Sequence, residues 1–196
     1  MPESESPPLS DVQLLDLCRS GDDRAFRQIV DRYHGRLLAT ATGMLGPGPD
    51  AEAVASDAFL RFYRALDRFE GRSSLATYLT RIAMNQALKV LRKRQNWLVR
   101  FVSRDDPDGP AAEPAMVSES RELEDQERVE LIRSAVQNLK PEFRSVVVLR
   151  FLNEYSTEEC ARVLGIPEGT VMSRLSRALD KLAPMLKNFN PRLADR

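Results

Sequence analysis

The sequence predicts an all-α protein built from two small helical domains, which are joined by an acidic flexible linker. Two observations lead to this fold class. Apolar residues recur at helical spacing on both sides of the middle of the chain. The middle itself, SRDDPDGPAAEPAMVSES, contains three prolines, a glycine and five acids and has no apolar periodicity. Because no segment shows a clear alternation of apolar and polar residues, we expect no sheet.

These features divide the 196 residues into four parts. Residues 1–11 are acidic and rich in proline and serine, and we expect a disordered tail. Residues 12–104 form the first domain, residues 105–120 the linker and residues 121–196 the second domain. The N-terminus lacks the basic start and apolar stretch of a signal peptide, and no segment approaches the ~20 apolar residues of a membrane-spanning helix. We therefore expect a cytoplasmic protein.

Charge is segregated along the chain, although Lys plus Arg and Asp plus Glu number 29 each. Residues 12–104 contain 16 basic and 9 acidic residues, a net charge of +7, and residues 131–196 contain 11 and 7, a net charge of +4. Residues 105–130 contain 2 basic and 10 acidic residues, a net charge of −8. Two basic blocks that flank an acidic stretch suggest a polyanionic partner, although charged runs are often only solvated surface.

Each domain contains segments with a helical apolar pattern. Ser10 is a predicted N-cap of the first helix, which ends near Gly21. Three longer helices follow within the first domain, and the last of them covers residues 76–94. In the second domain, EFRSVVVLRFL is apolar and β-branched enough for a strand, but its position between helices favours a buried helix.

One face of the helix at 76–94 combines groups that hold single-stranded nucleic acid. Tyr78, Arg81, Asn85, Lys89 and Arg92 follow one another at spacings of three, four, four and three residues, which places them on one face. An aromatic ring, an amide and three cations can stack on bases and attract phosphates. The polar loop EGRSS precedes this helix and can fold around an extruded base. The alternative is an ordinary solvent-exposed face.

The C-terminal segment YSTEECARVLGIPEGTVMSRLSRALDKL predicts a helix-turn-helix. Ser156 and Glu159 form a capping box, Gly165 suits a tight turn, and Pro167 can open the second helix. Val171, Leu175, Leu179 and Leu182 form an apolar stripe on that helix. Its polar side, which would contact base edges in a major groove, comprises Thr170, Met172, Ser173, Arg174, Ser176 and Arg177. The alternative is a helical hairpin with a solvated face.

The two segments described above resemble sequence patterns of the extracytoplasmic-function (ECF) group of the bacterial sigma-70 family. FEGRSSLATYLTRIAMN is similar to that group's F-x-G-x-S-S-L-x-T-W-L-x-R-I-A-x-N, with Tyr78 in place of Trp. LKPEFRSVVVLRFLNEYSTEECARVLGIPEGTVMSRLSRAL is similar to its second long pattern, which includes S-x-x-E-I-A-x-x-L-G-x-P-x-G-T-V-x-S-R-L. The resemblance covers about residues 12–186.

The resemblance implies an alternative sigma factor with specific partners. The helix at 50–66 would bind the clamp helices of core RNA polymerase through Asp50, Glu52, Ser56, Asp57 and Phe59. The face that contains Asn85 and Lys89 would hold the melted minus-ten strand, and a loop would capture a flipped base. That loop comprises Glu70, Gly71, Arg72, Ser73 and Ser74. The second domain would dock on the polymerase flap and recognise the minus-thirty-five element.

The same resemblance implies a further partner, and the sequence differs from the family pattern in two places. An anti-sigma factor is an expected partner, and membrane contact is expected only through it. The family's clamp-binding pattern D-A-E-D-x-x-Q-E reads DAEAVASD here, with Ala53 and Ser56 replacing a carboxylate and an amide. Met172 stands where the family often has Lys or Arg.

Other functions are weaker interpretations. A stand-alone regulator that binds duplex operator DNA would share the helix-turn-helix but leave the 78–92 face unexplained. A degenerate sigma-like interaction module is a third possibility, because of Ala53 and Ser56. No catalytic constellation surrounds His34, the one histidine, so we expect no enzyme, cofactor, metal or small-molecule substrate. Cys18 and Cys160 lack metal-ligand spacing and are expected to be buried thiols.

Overall fold

The computed structural model describes residues 9–102 and 121–186, and it describes side chains at residues 9–97 and 128–186. These ranges contain α-helices and no strand, which confirms the predicted fold class. A 3₁₀ turn, Leu66–Arg68, follows α3, and a π-helical turn, Val148–Leu152, continues α6. None of the described helices has the length and apolarity needed to span a membrane. The helices are α1 Asp11–Arg19, α2 Asp23–Leu45, α3 Pro49–Arg64, α4 Leu75–Val102, α5 Arg121–Gln137, α6 Pro141–Val147, α7 Thr157–Leu164 and α8 Glu168–Leu186.

The predicted N-cap of the first helix is confirmed. The Ser10 hydroxyl accepts a hydrogen bond from the backbone N–H of Gln13 at 3.3 Å, and the Gln13 side chain accepts one from the Ser10 N–H at 2.9 Å. Asp11 accepts hydrogen bonds from Arg32 at 2.6 Å and from Tyr33. Burial, reinforced by this bond, raises the pKa of Tyr33. Residues 9–11 therefore belong to the folded part, whereas the sequence placed the end of the tail at residue 11.

Helices α2, α3 and α4 form the core of the N-terminal half. Ile29, Leu37, Phe62 and Leu79, which recur at helical spacing within these segments, are fully buried. The break between α2 and α3 comprises residues 46–48 and contains Gly46 and Gly48 at φ values of +84° and +137°, which only glycine adopts readily. The three helices therefore present their opposite faces to solvent.

The segment EFRSVVVLRFL is helical, as its position between helices predicted. It comprises most of α6 and the π-helical turn, and Val146, Val148 and Leu149 are fully buried within it. Phe151 and Leu152 at its end are exposed at 59% and 55%. The β-branched composition reflects burial on most sides and not a sheet.

A second cluster of buried side chains joins α5, α6 and α8. Its members are Ala135, Leu139, Phe143, Val147, Ala178 and Leu182. The predicted stripe on α8 was wrong at one position, because Leu179 is 44% exposed and Ala178 is buried. At 100° per residue, Ala178 lies about 20° from Val171 around the helix and Leu179 about 80° away. The position on α8 that faces the core is therefore occupied by the smaller side chain, that of Ala178.

The two halves of the chain pack against each other. The π-helical turn contacts α2, and α7 contacts α4. Cys160, Val163 and Val171 of the C-terminal half belong to the same buried cluster as Leu79 and other residues of the N-terminal half. The sequence pattern did not predict this packing, because a flexible linker leaves the relative placement of two domains open.

Candidate nucleic-acid interface

The outer face of α4 is strongly basic. Arg81, Asn85, Lys89 and Arg92 are all exposed, as the spacing predicted. The helix contains six Arg and Lys residues and no Asp or Glu. From Arg81 to Arg92 the face is about 16 Å long. A helix face of this length and charge attracts the phosphates of several successive nucleotides.

Tyr78 differs from the other residues of the predicted face, because it is half-buried. Its ring centroid lies 4.8 Å from that of Phe69 and 6.1 Å from that of Phe62. These tilted and edge-on contacts add to the burial of the three rings. Tyr78 thus joins α3, α4 and the start of the loop at 70–74, with part of the ring still accessible.

The loop before α4 is anchored at both ends. Buried Phe69 precedes it, and the Phe69 carbonyl accepts a hydrogen bond from Arg19 of α1 at 2.6 Å. At the other end, the Ser74 hydroxyl accepts a hydrogen bond from the backbone N–H of Thr77 at 3.2 Å. Gly71 turns the chain at φ +71°, where a side chain would be strained. The loop therefore has a defined shape.

A cavity of about 430 Å³ lies between this loop and α4. Its size is within the range of small-ligand sites. Glu70 is the acidic residue of its lining, and its carboxylate lies 2.6 Å from the Arg72 guanidinium. An aromatic wall and several cations suit a base with its phosphates. The lining residues are Arg68, Phe69, Glu70, Gly71, Arg72, Ser73, Thr77, Tyr78, Arg81 and, from α7, Arg162.

The predicted helix-turn-helix is confirmed by its local geometry. The Ser156 hydroxyl accepts from the Glu159 N–H at 3.1 Å, and the Glu159 carboxylate accepts from the Ser156 N–H at 2.8 Å. Gly165 ends α7 at φ +66°. The carbonyl of Pro167 accepts the first backbone bonds of α8, from Thr170 and Val171.

The polar face of α8 is open to solvent. Met172, Ser173, Ser176 and Arg177 are exposed, and Thr170 and Arg174 are half-buried at its edges. The Ser173 hydroxyl donates to the Thr170 carbonyl at 3.1 Å, and the Thr157 hydroxyl points at the Met172 sulfur at 3.6 Å. Short polar side chains and an exposed Arg leave room for a close approach of base edges.

The predicted polymerase-binding residues lie on α3 in different environments. Asp50 pairs with Arg94 of α4 at 2.5 Å, and Asp57 pairs with Arg61 at 2.5 Å. Glu52 and Ser56 are exposed. Phe59, in contrast, is only 5% exposed. Its side chain packs in the core on the buried face of α3 and is not accessible to a partner protein.

Sequence reasoning missed two exposed apolar residues on α3. Leu60 and Tyr63 are 57% and 52% exposed and continue the row that begins with Ala53 and Ser56. Spacings of three, four and three residues place the four on one face. That spacing was available in the sequence, where Ala53, Leu60 and Tyr63 with the small polar Ser56 form a second, mostly apolar row beside the buried one.

Other reactive groups lie apart from these faces. Cys18 and Cys160 are free and buried, as predicted. Burial raises the pKa of both thiols, that of Cys160 to about 11. Within residues 9–97 and 128–186, no cluster of three or more His, Cys, Asp or Glu side chains is placed to hold a metal ion. His34 is exposed on α2.

Comparison with known proteins accounts for both halves. Residues 29–97 match the family model of sigma-70 region 2, and residues 129–182 match that of sigma-70 region 4. The RNA polymerase sigma-H factor of Pseudomonas aeruginosa is 33% identical, with 90% of this chain and 96% of the relative covered. The ECF sigma factor SigW of Bacillus subtilis is 31% identical, with 87% and 94% covered.

Solved structures agree with these relatives. CnrH, solved in complex with the cytosolic domain of CnrY, is 27% identical with a TM-score of 0.64, and the match covers 92% of this chain and 99% of CnrH. RpoE of Bartonella quintana, solved with the anti-sigma factor NepR, shares the fold at 24% identity and a TM-score of 0.64, with 84% and 98% covered.

The chain belongs to the sigma-70 family, in its extracytoplasmic-function group. It is an alternative sigma factor that directs transcription. The stand-alone regulator is not favoured, because a protein that binds only duplex operator DNA would leave the match of residues 29–97 to region 2 unexplained.

Proposed function

We propose that this sigma factor binds core RNA polymerase through α3, holds the melted minus-ten strand with α4 and recognises the minus-thirty-five element with α8. One observation carries the proposal. Two exposed faces suited to DNA lie on the two segments that match regions 2 and 4, in that order along the chain. The domain boundaries at residues 12–104 and 121–196 are part of the proposal, and the linker at 105–120 lies outside the described residues.

In region 2, we assign different tasks to the helix face and to the loop. Arg81, Lys89 and Arg92 attract the phosphates of the strand, and Asn85 offers an amide to a base edge. The cavity beside the loop takes an unstacked base, whose ring can lie against Tyr78. The exposed residues of α3, Glu52 and Ser56 among them, face the polymerase clamp.

In region 4, α8 lies in the major groove of duplex DNA. Ser173, Ser176 and Arg177 contact base edges, and Thr170 and Arg174 contact the flanking backbone. Met172 offers an apolar contact in place of a cation. The remaining surface of region 4 docks on the polymerase flap.

The partners of the chain are polymerase, promoter DNA and a protein inhibitor. CnrH and RpoE were each solved with a bound partner protein, which supports an anti-sigma factor for this chain also. We place the protein in the cytoplasm, with membrane contact only through such a partner. Because sigma factors act by binding, we assign it no catalytic activity of its own.

Run-off transcription with purified core polymerase tests the proposed function. Core enzyme plus this chain is incubated with a pool of templates that carry randomised upstream DNA, and the transcribed templates are sequenced. We expect transcripts from templates enriched in two spaced motifs. A chain that binds duplex DNA but yields no transcript above the level of core enzyme would support the stand-alone regulator.

Arg177→Ala tests the assignment of α8. A well-placed Arg–guanine pair supplies roughly 1–3 kcal/mol of discrimination against the wrong base. We expect the variant to lose activity and to relax preference at one position of the minus-thirty-five motif. A uniform loss across all motif variants would instead identify Arg177 as a phosphate contact.

A further inference from the structure

We propose that Arg19, the last residue of α1, is a positioning residue that holds the loop at 70–74 in the shape required to recognise the captured base. The inference deepens the proposed function and rests on it in one respect, namely that a base enters the cavity between this loop and α4. Arg19 lies outside the lining of that cavity, and α1 precedes residues 29–97, the segment that matches region 2. Arg19 therefore acts through the loop and not by contact with the base.

Arg19 reaches the loop through a charge-assisted hydrogen bond. Its guanidinium donates to the Phe69 carbonyl at 2.6 Å. The positive charge makes this bond stronger than one between two neutral groups. Because a peptide unit is planar, a bond to this carbonyl also fixes the amide plane that leads into Glu70. The contact therefore sets the direction in which the loop begins.

Phe69 is held from three sides, and Arg19 supplies one of them. The Phe69 N–H donates to the Leu66 carbonyl at 3.2 Å. The Phe69 ring packs against Tyr78, with ring centroids 4.8 Å apart, and the residue is 6% exposed. The ring and the N–H anchor Phe69 to the core, whereas the carbonyl orients the chain that follows. Loss of the Arg19 contact should therefore release the loop and leave the core folded.

The helix that carries Arg19 is itself held in place. Leu14 is fully buried and packs α1 into the core. At the start of the helix, Asp11 accepts a hydrogen bond from Arg32 of α2 at 2.6 Å. The Asp16 carboxylate, one turn before Arg19, accepts a hydrogen bond from the guanidinium at 3.3 Å and orients it. Because the donor lies on a well-packed helix, its bond restrains the loop.

Space behind the loop makes this restraint necessary. A second cavity, of about 310 Å³, lies between α1 and the start of the loop. Phe69, Glu70 and Gly71 line both cavities, so this short stretch of backbone separates them. The hydrogen bond from Arg19 to Phe69 joins the two walls of the second cavity. It therefore prevents the stretch from relaxing into that space.

The position of this stretch determines how the loop meets a base. An extruded base is recognised by hydrogen bonds to its Watson–Crick edge. Glu70 provides a carboxylate, and the backbone of the loop provides N–H and C=O groups, in the lining of the first cavity. A shift of about 1 Å lengthens such a bond from about 2.9 to about 3.9 Å, beyond the range of a hydrogen bond. Recognition of the base is therefore more sensitive to the loop than attraction of the phosphates, which depends on α4.

NMR relaxation of the free full-length chain tests the restraint. In the parent chain we expect order parameters of about 0.85 at the backbone N–H groups of Glu70 and Gly71, as in rigid backbone. Arg19→Ala should lower both below about 0.6, the range of flexible backbone. Arg24→Ala, which removes an exposed arginine from α2, is the matched control and should leave both values unchanged. Order parameters that are equal in the parent chain and in Arg19→Ala would overturn the inference.

Transcription from pre-melted promoters tests the effect on base recognition. 2-Aminopurine, whose fluorescence rises when it is unstacked, locates the captured position in complexes of the parent chain with core polymerase. Templates then carry the preferred base or an abasic site at this position of the non-template strand. We expect Arg19→Ala to lower the ratio of the two activities at least about threefold and Arg24→Ala to keep the parent ratio. A general loss of activity cancels in this ratio, so equal ratios in all three chains would contradict the positioning role.

A further variant guards against a folding defect in the first. Arg19→Lys keeps the charge and a single donor group on a flexible stem. It should recover part of the lost ratio, and both Arg19 variants should have the helix content of the parent chain by circular dichroism. Base preference at the minus-thirty-five motif should be unchanged in each, because α8 is not involved. Relaxed preference at both promoter elements in Arg19→Ala would indicate a general defect and would count against the inference.

The parent chain separates this inference from the proposed function. Base capture by the cavity requires that one minus-ten base unstacks and that the abasic template is less active. If the parent chain shows neither, the proposed base capture is wrong and the inference fails with it. If the parent chain shows both and the ratio is unchanged in Arg19→Ala, the proposed function stands and the positioning role of Arg19 is wrong.

Discussion

Asn85 lies midway along the basic face of α4, between Arg81 and Lys89. The sequence predicted its place on the helix from the spacing of its neighbours. Its exposure follows from the burial of the opposite face of α4, which contains Leu79 and Ala83. Tyr78, one turn earlier, shows the limit of such reasoning. Helical spacing put it on the exposed face, but the rings of Phe62 and Phe69 hold it half-buried.

Asn85→Ala should impair open-complex formation on duplex promoters and matter much less for closed-complex recruitment. The reason is that an amide assigned to the melted strand has no partner until the duplex opens. Permanganate reactivity of unpaired thymines measures opening, and a gel-shift assay of the closed complex measures recruitment. Gln28→Ala, which removes an exposed amide from α2, is the control. An equal loss at both stages would refute the assignment.

Cys160 supplies a pH-dependent prediction at the same scale. In the unfolded chain its thiol ionises near pH 9, and burial raises its pKa in the folded chain to about 11. The folded state therefore retains its proton where the unfolded state releases it, so stability decreases as pH rises from about 9 to 11 and is unaffected by this group below.

Urea denaturation at pH 8 and pH 10.5 measures this effect. The loss of free energy of unfolding between the two pH values should be smaller in Cys160→Ala than in the parent chain, and the comparison cancels the contribution of Tyr33. In addition, a thiol reagent at pH 8 should react with neither native cysteine until the chain unfolds. Rapid reaction of Cys160 in the folded protein would contradict its burial.

At the scale of the element, the N-terminal caps and the glycine turn were the most predictable features, whereas α4 continues to Val102, eight residues beyond its predicted end at residue 94. The capping boxes at Ser10 and Ser156 and the turn at Gly165 follow from local hydrogen bonding, so the sequence contains the whole cause. The exposed apolar row of α3 was missed, because a second apolar face on one helix looks like core until the buried face is known. Leu60 and Tyr63 extend that row beyond Ala53 and Ser56.

Restoring the family residues on α3 should tighten binding to core polymerase. Ala53 and Ser56 are exposed, so Ala53→Asp with Ser56→Gln adds a carboxylate and an amide without disturbing the core. Fluorescence anisotropy of the labelled factor against core enzyme measures the affinity, which we expect to rise by about threefold or more at low salt. Ala39→Asp, on an exposed site of α2, is the matched charge control. An equal gain in the control would show a nonspecific charge effect.

At the scale of the whole molecule, the charge distribution was predictable and the packing of the halves was not. Composition alone separates two basic blocks from an acidic stretch. The contacts of Arg144, Asn153 and Tyr155 with the N-terminal half depend on side chains far apart in sequence, with no local pattern to connect them. In the sequence, these three residues could not be distinguished from residues that pack only within the C-terminal half.

The free chain should bind duplex DNA weakly. It has no net charge, and its acidic stretch offsets the basic faces, so few counterions are released on binding. Anisotropy titration of a promoter duplex at physiological salt should give a dissociation constant no tighter than the ~10⁻⁶–10⁻⁴ M of nonspecific binding. Core polymerase should convert this to tight, specific binding. Nanomolar affinity without polymerase would favour a stand-alone regulator.

Simultaneous engagement of two promoter elements by one chain is the central proposal, and the length of the spacer between the elements tests it most directly. Promoters selected by the holoenzyme are altered by inserting five base pairs between the two motifs, which turns one motif to the opposite side of the duplex. Run-off transcription should fall to the level of a promoter that lacks the minus-thirty-five motif. Full activity with the inserted half turn would contradict simultaneous engagement.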